Sequence, residues 1–207
     1  MATKWISPTW RMPTDSQSPA GSGNNQSKFD NYSLGFDSST AMKINCGSAT
    51  SYDNFTLSAW VKKDHSSPQW AGIFGTRNGA TASWPYMLGT DNTGKIRFVA
   101  DGSVNIYSDN ALTNEMWYHV VGVGDGTNLK LYINGSLQTD VKSYSTPLPA
   151  ATNDLMIGAQ YDTDNSFVWV GEISQCSLFD YALSETQIKY LYNDNDTVNP
   201  TVANPQN

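Results

Sequence analysis

The stretch "WYHVVGVGDGTNLKLYINGSLQ", residues 117–138, decides the fold class. Leu129, Leu131 and Ile133 alternate with Lys130, Tyr132 and Asn134, and Asn134-Gly135 then ends the run. Alternation at period two gives a strand one apolar and one polar face. Asn-Gly suits a type I′ turn, whose two central residues both need positive φ. "WYHVVGVG" before it is another strand, turned by "DGTN". The stretch builds a half-buried antiparallel sheet.

The same pattern extends in both directions. "YSLGFD", "AMKINC", "FTLSAWVKK" and "AGIFGTR" come first, then "SWPYMLGT", turned by "DNTG" into "KIRFVAD", and then "SVNIYS". After the opening stretch, "SLQTDV" is followed by "LMIGAQ" and "FVWVGEISQCSLFD". Many short strands with turn signals between them predict an all-β antiparallel two-sheet jelly-roll sandwich. One short helix interrupts them, "LSETQIKYLYN". Ser184 is its N-cap, with Gln187 three residues on as a capping box, and Leu183 and Ile188 form a hydrophobic staple. Ile188, Leu191 and Tyr192 are expected to face the sheet. Replacing Ser184 by Ala is expected to cost about 1 kcal/mol.

Composition agrees. Of 207 residues, 15% are charged, and three Glu (Glu115, Glu172, Glu185) stand against sixteen Asp, a residue suited to turns. A net charge of −7 opposes a phosphate backbone, so a basic nucleic-acid surface is excluded. No stretch has the length and apolarity of a membrane span, and "MATKWISPTWRMPTDSQSPAGSG" has no signal-peptide core. Cys46 and Cys176 are too sparse for a disulfide framework, and two small buried thiols are expected.

Three segments follow: a polar arm over residues 1–28, a jelly-roll domain over 29–193 and a polar tail over 194–207. The arm is rich in Ser, Pro, Gly, Asn and Gln, with Trp5, Ile6, Trp10 and Met12 as isolated apolar points beside Arg11. Burying each tryptophan contributes on the order of 2 kcal/mol. The arm therefore either folds back on its own domain or docks on a neighbouring subunit.

"YSLGFD", "FTLSAWVK", "WYHVVGV", "LKLYINGSLQ", "LMIGA" and "WVGEISQCSLFDYALSETQIKYLY" together resemble the laminin-G-like jelly rolls of the concanavalin A-like lectin/glucanase superfamily. The resemblance implies two antiparallel sheets of about six or seven strands, one concave and one convex. It implies that Trp60, Trp117 and Trp169 are packing aromatics and that His119 is structural. Function does not follow from it, because the fold hosts many activities.

Glycoside hydrolysis needs two carboxylates roughly 5–10 Å apart. Glucan-cleaving relatives place theirs at alternate positions of one strand, and this chain has no such run. No nucleophile elbow and no zinc spacing is present either. A protein that is not an enzyme is expected. Calcium is the cofactor the resemblance leaves open, at two places. One is Asp37, near the strand "GEISQCSLF", where Ser174 occupies a position that many relatives fill with aspartate. The other is Asp162 and Asp164 in "YDTDNS". Solvated turns are the alternative at both. For a glycan, Trp70, Trp84 and Tyr86 are the stacking candidates, with Arg77 among them. Their alternative is to cover the edge of the core or to meet another subunit.

The expected function is a non-catalytic virion structural or decoration protein of a phage, made in the host cytoplasm. Residues 1–28 would hold it to other virion subunits or to copies of itself, and the jelly roll would be displayed. The alternative is a free lectin-like module binding cell-surface glycans, with or without calcium.

Overall fold

The computed structural model describes residues 33–37, 41–65, 70–79, 83–161 and 167–192. The anchor candidates Trp5, Ile6, Trp10, Arg11 and Met12 lie outside the described residues, as do Asp162 and Asp164.

In chain order the strands are β1 (Leu34–Phe36), β2 (Ile44–Ser48), β3 (Asn54–Lys63), β4 (Gly72–Asn78), β5 (Ser83–Thr90) and β6 (Lys95–Gly102). β7 (Val104–Ala111), β8 (Trp117–Asp125), β9 (Asn128–Ile133), β10 (Ser136–Leu137), β11 (Lys142–Ser143), β12 (Asp154–Ile157) and β13 (Gly171–Phe179) follow, and then α1 (Glu185–Tyr192). The first sheet runs β1-β13-β3-β8-β9-β10, with β11 also paired to β9. The second runs β2-β12-β4-β5-β6-β7. All pairings are antiparallel, and the fold is the expected two-sheet sandwich with one helix. No helix among the described residues is long and apolar enough to cross a membrane.

The turns form where their residues require. Asn134 and Gly135 take φ of 50° and 77°, and Ser136 returns opposite Ile133. In "DNTG" and "DGTN" the aspartate accepts the following amides: Asp91 those of Thr93 and Lys95, Asp125 those of Thr127 and Asn128. "SLQTDV" pairs only at Ser136–Leu137, and "FVWV" precedes β13 without joining it.

Between the sheets lie the inward positions of each strand, among them Phe55, Leu57, Val61, Phe98, Val120, Leu129, Leu131 and Trp169. Each large side chain so buried contributes about 1.5–3 kcal/mol. β8 gives its inner face to Val120, Gly122 and Gly124. A Cβ at Gly122 would stand 2.6 Å from the Phe98 ring, and one at Gly124 would overlap Phe55. These two glycines let aromatic rings press against the backbone, as close packing demands.

The outer face of the first sheet is also covered. Val121, Val123 and Tyr132 pack against Leu183 and Ile188 of the helix segment. Tyr192 stacks at 5.7 Å on Trp60, which lies 5.2 Å from the His119 ring. Buried Thr56 ties the segment down by donating to the Tyr181 carbonyl and accepting the Leu183 amide. The capping box forms as expected: Ser184 Oγ accepts from the Gln187 amide at 3.3 Å and Gln187 Oε1 from the Ser184 amide at 2.9 Å. Trp60 and Trp169 are packing residues, whereas Trp117 is half-buried, with Lys62 Nζ 5.8 Å from its ring centroid. Both cysteines are free. Cys176 is half-buried, its thiol pushed up to about 12 by burial and then by Cys46. Cys46 itself is exposed, contrary to expectation, because β2 has little cover.

Candidate functional site

β5 carries one residue more than β4 between the pairs Thr76↔Tyr86 and Asn78↔Ser83, a bulge at Trp84-Pro85. A bulge re-aims the side chains that flank it. Tyr86 and Leu88 stay with the core between the sheets, while Trp84 joins Met87 and Val99 on the opposite, outer face of the second sheet.

On that face two arginines gather around one indole. Arg97 of β6 places its guanidinium carbon 4.5 Å from the Trp84 ring centroid, and Arg77 of β4 places its own at 5.0 Å. Arg97 also lies 5.4 Å from the Trp70 ring; Arg77 lies 4.8 Å from Tyr161 and 5.8 Å from Phe167. Such stacks contribute about 0.5–2 kcal/mol each as desolvation increases. Buried Gln160 links the pieces, accepting from Arg77 Nη1 at 3.0 Å and donating to the Trp70 carbonyl. Trp70 holds φ at 62°, a left-handed conformation that a bulky residue adopts only when its surroundings enforce it. Arg97 Nε donates to Asn105 Oδ1 on β7, so the cluster spans β4 to β7.

Burial lowers the Arg97 guanidinium's hold on its proton, Tyr107 raises it, Arg77 lowers it and Asp91 raises it. The net effect is downward, yet a guanidinium stays charged at neutral pH. Where β7 meets β11, an open groove of about 670 Å³ continues past Asn105 and Tyr107 to Lys142. Lys142 Nζ donates to the Asn105 carbonyl at 2.7 Å and lies 6.0 Å from the Tyr107 ring.

Three of the four expected glycan residues, Trp70, Arg77 and Trp84, are thus brought together. Tyr86 is not. It is fully buried in the core, its hydroxyl donating to the Thr50 carbonyl, and cannot stack on a ligand. Arg97, Gln160, Tyr161, Phe167, Asn105 and Tyr107 were not singled out by sequence. The signal for Arg97 was present in "KIRFVAD", where it alternates with apolar Ile96 and Phe98.

The calcium reading at Asp37 meets a displaced register. β1 does pair with β13, but Leu34 lies opposite Ile173 and Phe36 opposite Gly171. Ser174 is therefore level with position 33, four residues from Asp37, or about 13 Å along the strand. The two do not form one site, and no group of three metal-binding side chains occurs among the described residues.

Residues 36–189 match the family described as the concanavalin A-like lectin/glucanases superfamily, with a laminin-G profile. The chain belongs to this superfamily. A comparison with curated proteins finds no match. Among solved structures, the superfamily jelly roll resembles a putative carbohydrate-binding protein from Bacteroides ovatus, at TM-score 0.59 and 19% identity. The likeness covers 71% of this chain and 43% of that one. It also resembles a heptameric SAP-like pentraxin from Limulus polyphemus, at TM-score 0.56 and 19% identity over 72% of this chain and 74% of that one. A third is domain 4 of an extracellular arabinanase from Geobacillus stearothermophilus, solved with arabinotriose, at TM-score 0.50 and 19% identity. There the likeness covers 69% of this chain and 68% of that one. At such identity these likenesses describe the fold.

Proposed function

We propose that this chain is a non-catalytic carbohydrate-binding module whose ligand lies across the outer face of the second sheet. One observation carries the reading: Trp70 and Trp84, from separate segments, converge with Arg77 and Arg97 on that face. Aromatic faces with a few fixed polar groups are what a sugar ring needs, apolar C–H groups above and hydroxyls at the rim. Four strands at about 4.8 Å spacing give about 15 Å of such surface, room for a short oligosaccharide. The Bacteroides protein described as putatively carbohydrate-binding and the arabinanase domain solved with arabinotriose lend support by their fold.

Absence of catalysis belongs to the same proposal. Glu115 precedes β8, Glu172 lies on β13 and Glu185 opens α1, so the three glutamates stand on different elements. Ser58 Oγ lies 2.9 Å from His119 Nε2, but the two residues are 3% and 2% exposed. A substrate cannot reach them.

Glycan-array binding by the whole chain tests the reading. Trp84→Ala is expected to weaken the strongest signal about tenfold, and Leu137→Ser, at an exposed position of the other sheet, to leave it unchanged. Equal binding by both variants would overturn the placement.

Display on a phage particle is proposed as the setting, supported by the composition of residues 1–28, with Trp5 and Trp10 set in a polar arm. Deleting residues 1–28 is then expected to abolish incorporation into particles while the domain still folds. A truncated chain that enters particles normally would remove that setting and leave the sugar-binding reading intact.

A further inference from the structure

We infer that the ligand of this face carries a carboxylate, so that the module selects acidic sugars, an inference that rests on the sugar-binding reading above. The argument begins with unpaired charge. Neither Arg77 nor Arg97 has a carboxylate within 4.0 Å among the described residues, in a chain whose net charge is −7. Two nearby acidic groups are in use. Asp91, the carboxylate nearest in charge to Arg97, is taken by the Thr93 hydroxyl and by the amides of Thr93 and Lys95. Asp140 stands 3.7 Å from Lys142 Nζ and accepts the Tyr107 amide.

Two guanidiniums on one indole repel each other, and Arg97, 6% exposed, meets too little water to screen that repulsion fully. Their hydrogen-bonding capacity is also unspent. Arg77 uses Nη1 on Gln160 and Arg97 uses Nε on Asn105, which leaves Nη2 of Arg77 and both Nη atoms of Arg97 without an acceptor among the described residues. Those three nitrogens are not among the fully buried polar atoms, so solvent reaches them. Behind them, Arg77 Nε and Trp84 Nε1 are buried donors with no acceptor. The open nitrogens of Arg77, Arg97 and Trp84 on this face are all donors. A carboxylate is acceptor-only, and its two oxygens match the fork of a guanidinium. The half-buried Trp70 ring then takes the apolar face of the sugar that bears it, and Trp84, 9% exposed, sets the two guanidiniums beside it. Lys142, in the adjoining groove, adds a third cation for a second acidic unit.

The test is a panel of uronic- and sialic-acid-containing oligosaccharides, each beside its carboxyl-reduced counterpart, titrated into the full chain by calorimetry at low and high salt. Acidic members are expected to bind about tenfold or more tightly than their reduced partners, with affinity falling as salt rises. Arg97→Gln should erase that preference and Arg97→Lys restore only part of it, because a lysine supplies the charge without the fork. Arg77→Gln, at a half-buried position, repeats the measurement should Arg97→Gln not fold. Equal binding of acidic and reduced members would overturn the carboxylate inference and leave the sugar-binding reading standing. Binding of no member would overturn both.

Discussion

The two outer faces of this sandwich have opposite chemistry. On the first sheet, Val121, Val123 and Tyr132 lie under Leu183 and Ile188, and the face is closed by apolar contact. On the second, two guanidiniums surround Trp84, and among the described residues no helix crosses the cluster. A covered sheet face gains stability from what it buries; an uncovered one that keeps unpaired donors does not. On the function proposed above, the difference separates structure from recognition within one fold, the helix side holding the domain together and the arginine side holding the ligand.

Substitutions can break that contrast in order of size. Ile188→Ala removes the fully buried centre of the helix contact and is expected to cost about 2–5 kcal/mol in denaturant unfolding. A loss below about 1 kcal/mol would mean that the helix does not close its face. Ser184→Ala is expected to cost about 1 kcal/mol through the lost cap, with the Gln187 amide left without its hydroxyl acceptor.

A smaller effect concerns pH on the helix side. Burial pushes the Glu172 carboxyl up, but hydrogen bonds from Lys62 and Ser33 outweigh it and hold it below its ordinary value of 4.5. Its contribution is therefore complete above about pH 4.5 and is lost as pH falls through the lower, folded-state value. Melting temperature should drop on acidification below that point, and Glu172→Gln should drop less between the same two pH values.

The smallest stability change belongs to the arginine side. Trp70→Gly relieves a left-handed backbone while losing one stack on Arg97, and these offset to within about 1 kcal/mol. Ligand binding should nevertheless fall about tenfold. Unchanged binding would show that Trp70 is merely a cover for Arg97.

The fold was legible because its signals are local. Alternation in "LKLYI", the Asn134-Gly135 turn and the Ser184–Gln187 cap each act within a few residues, and each formed. The site was half legible. Trp70, Arg77 and Trp84 are legible as residue types, but "SWPYMLGT" reads as loop-like around Trp84 and Tyr86, whereas it is a strand whose bulge sends the two rings to opposite faces. Only the β4 register reveals that bulge. The Asp37–Ser174 pairing failed for a similar reason, since a strand pair is visible in sequence and its offset is not.

The extra residue at Trp84-Pro85 has a consequence for how such surfaces change. Excising Trp84 there would restore the simple alternation, with Pro85 outward and Tyr86 still inward, so the indole would be lost while the core keeps its packing. Conversely, one inserted codon in a sheet lacking the irregularity can bring an aromatic out to water while the interior stays as it was. Recognition surfaces on this scaffold can therefore be gained or lost in single-residue steps of length.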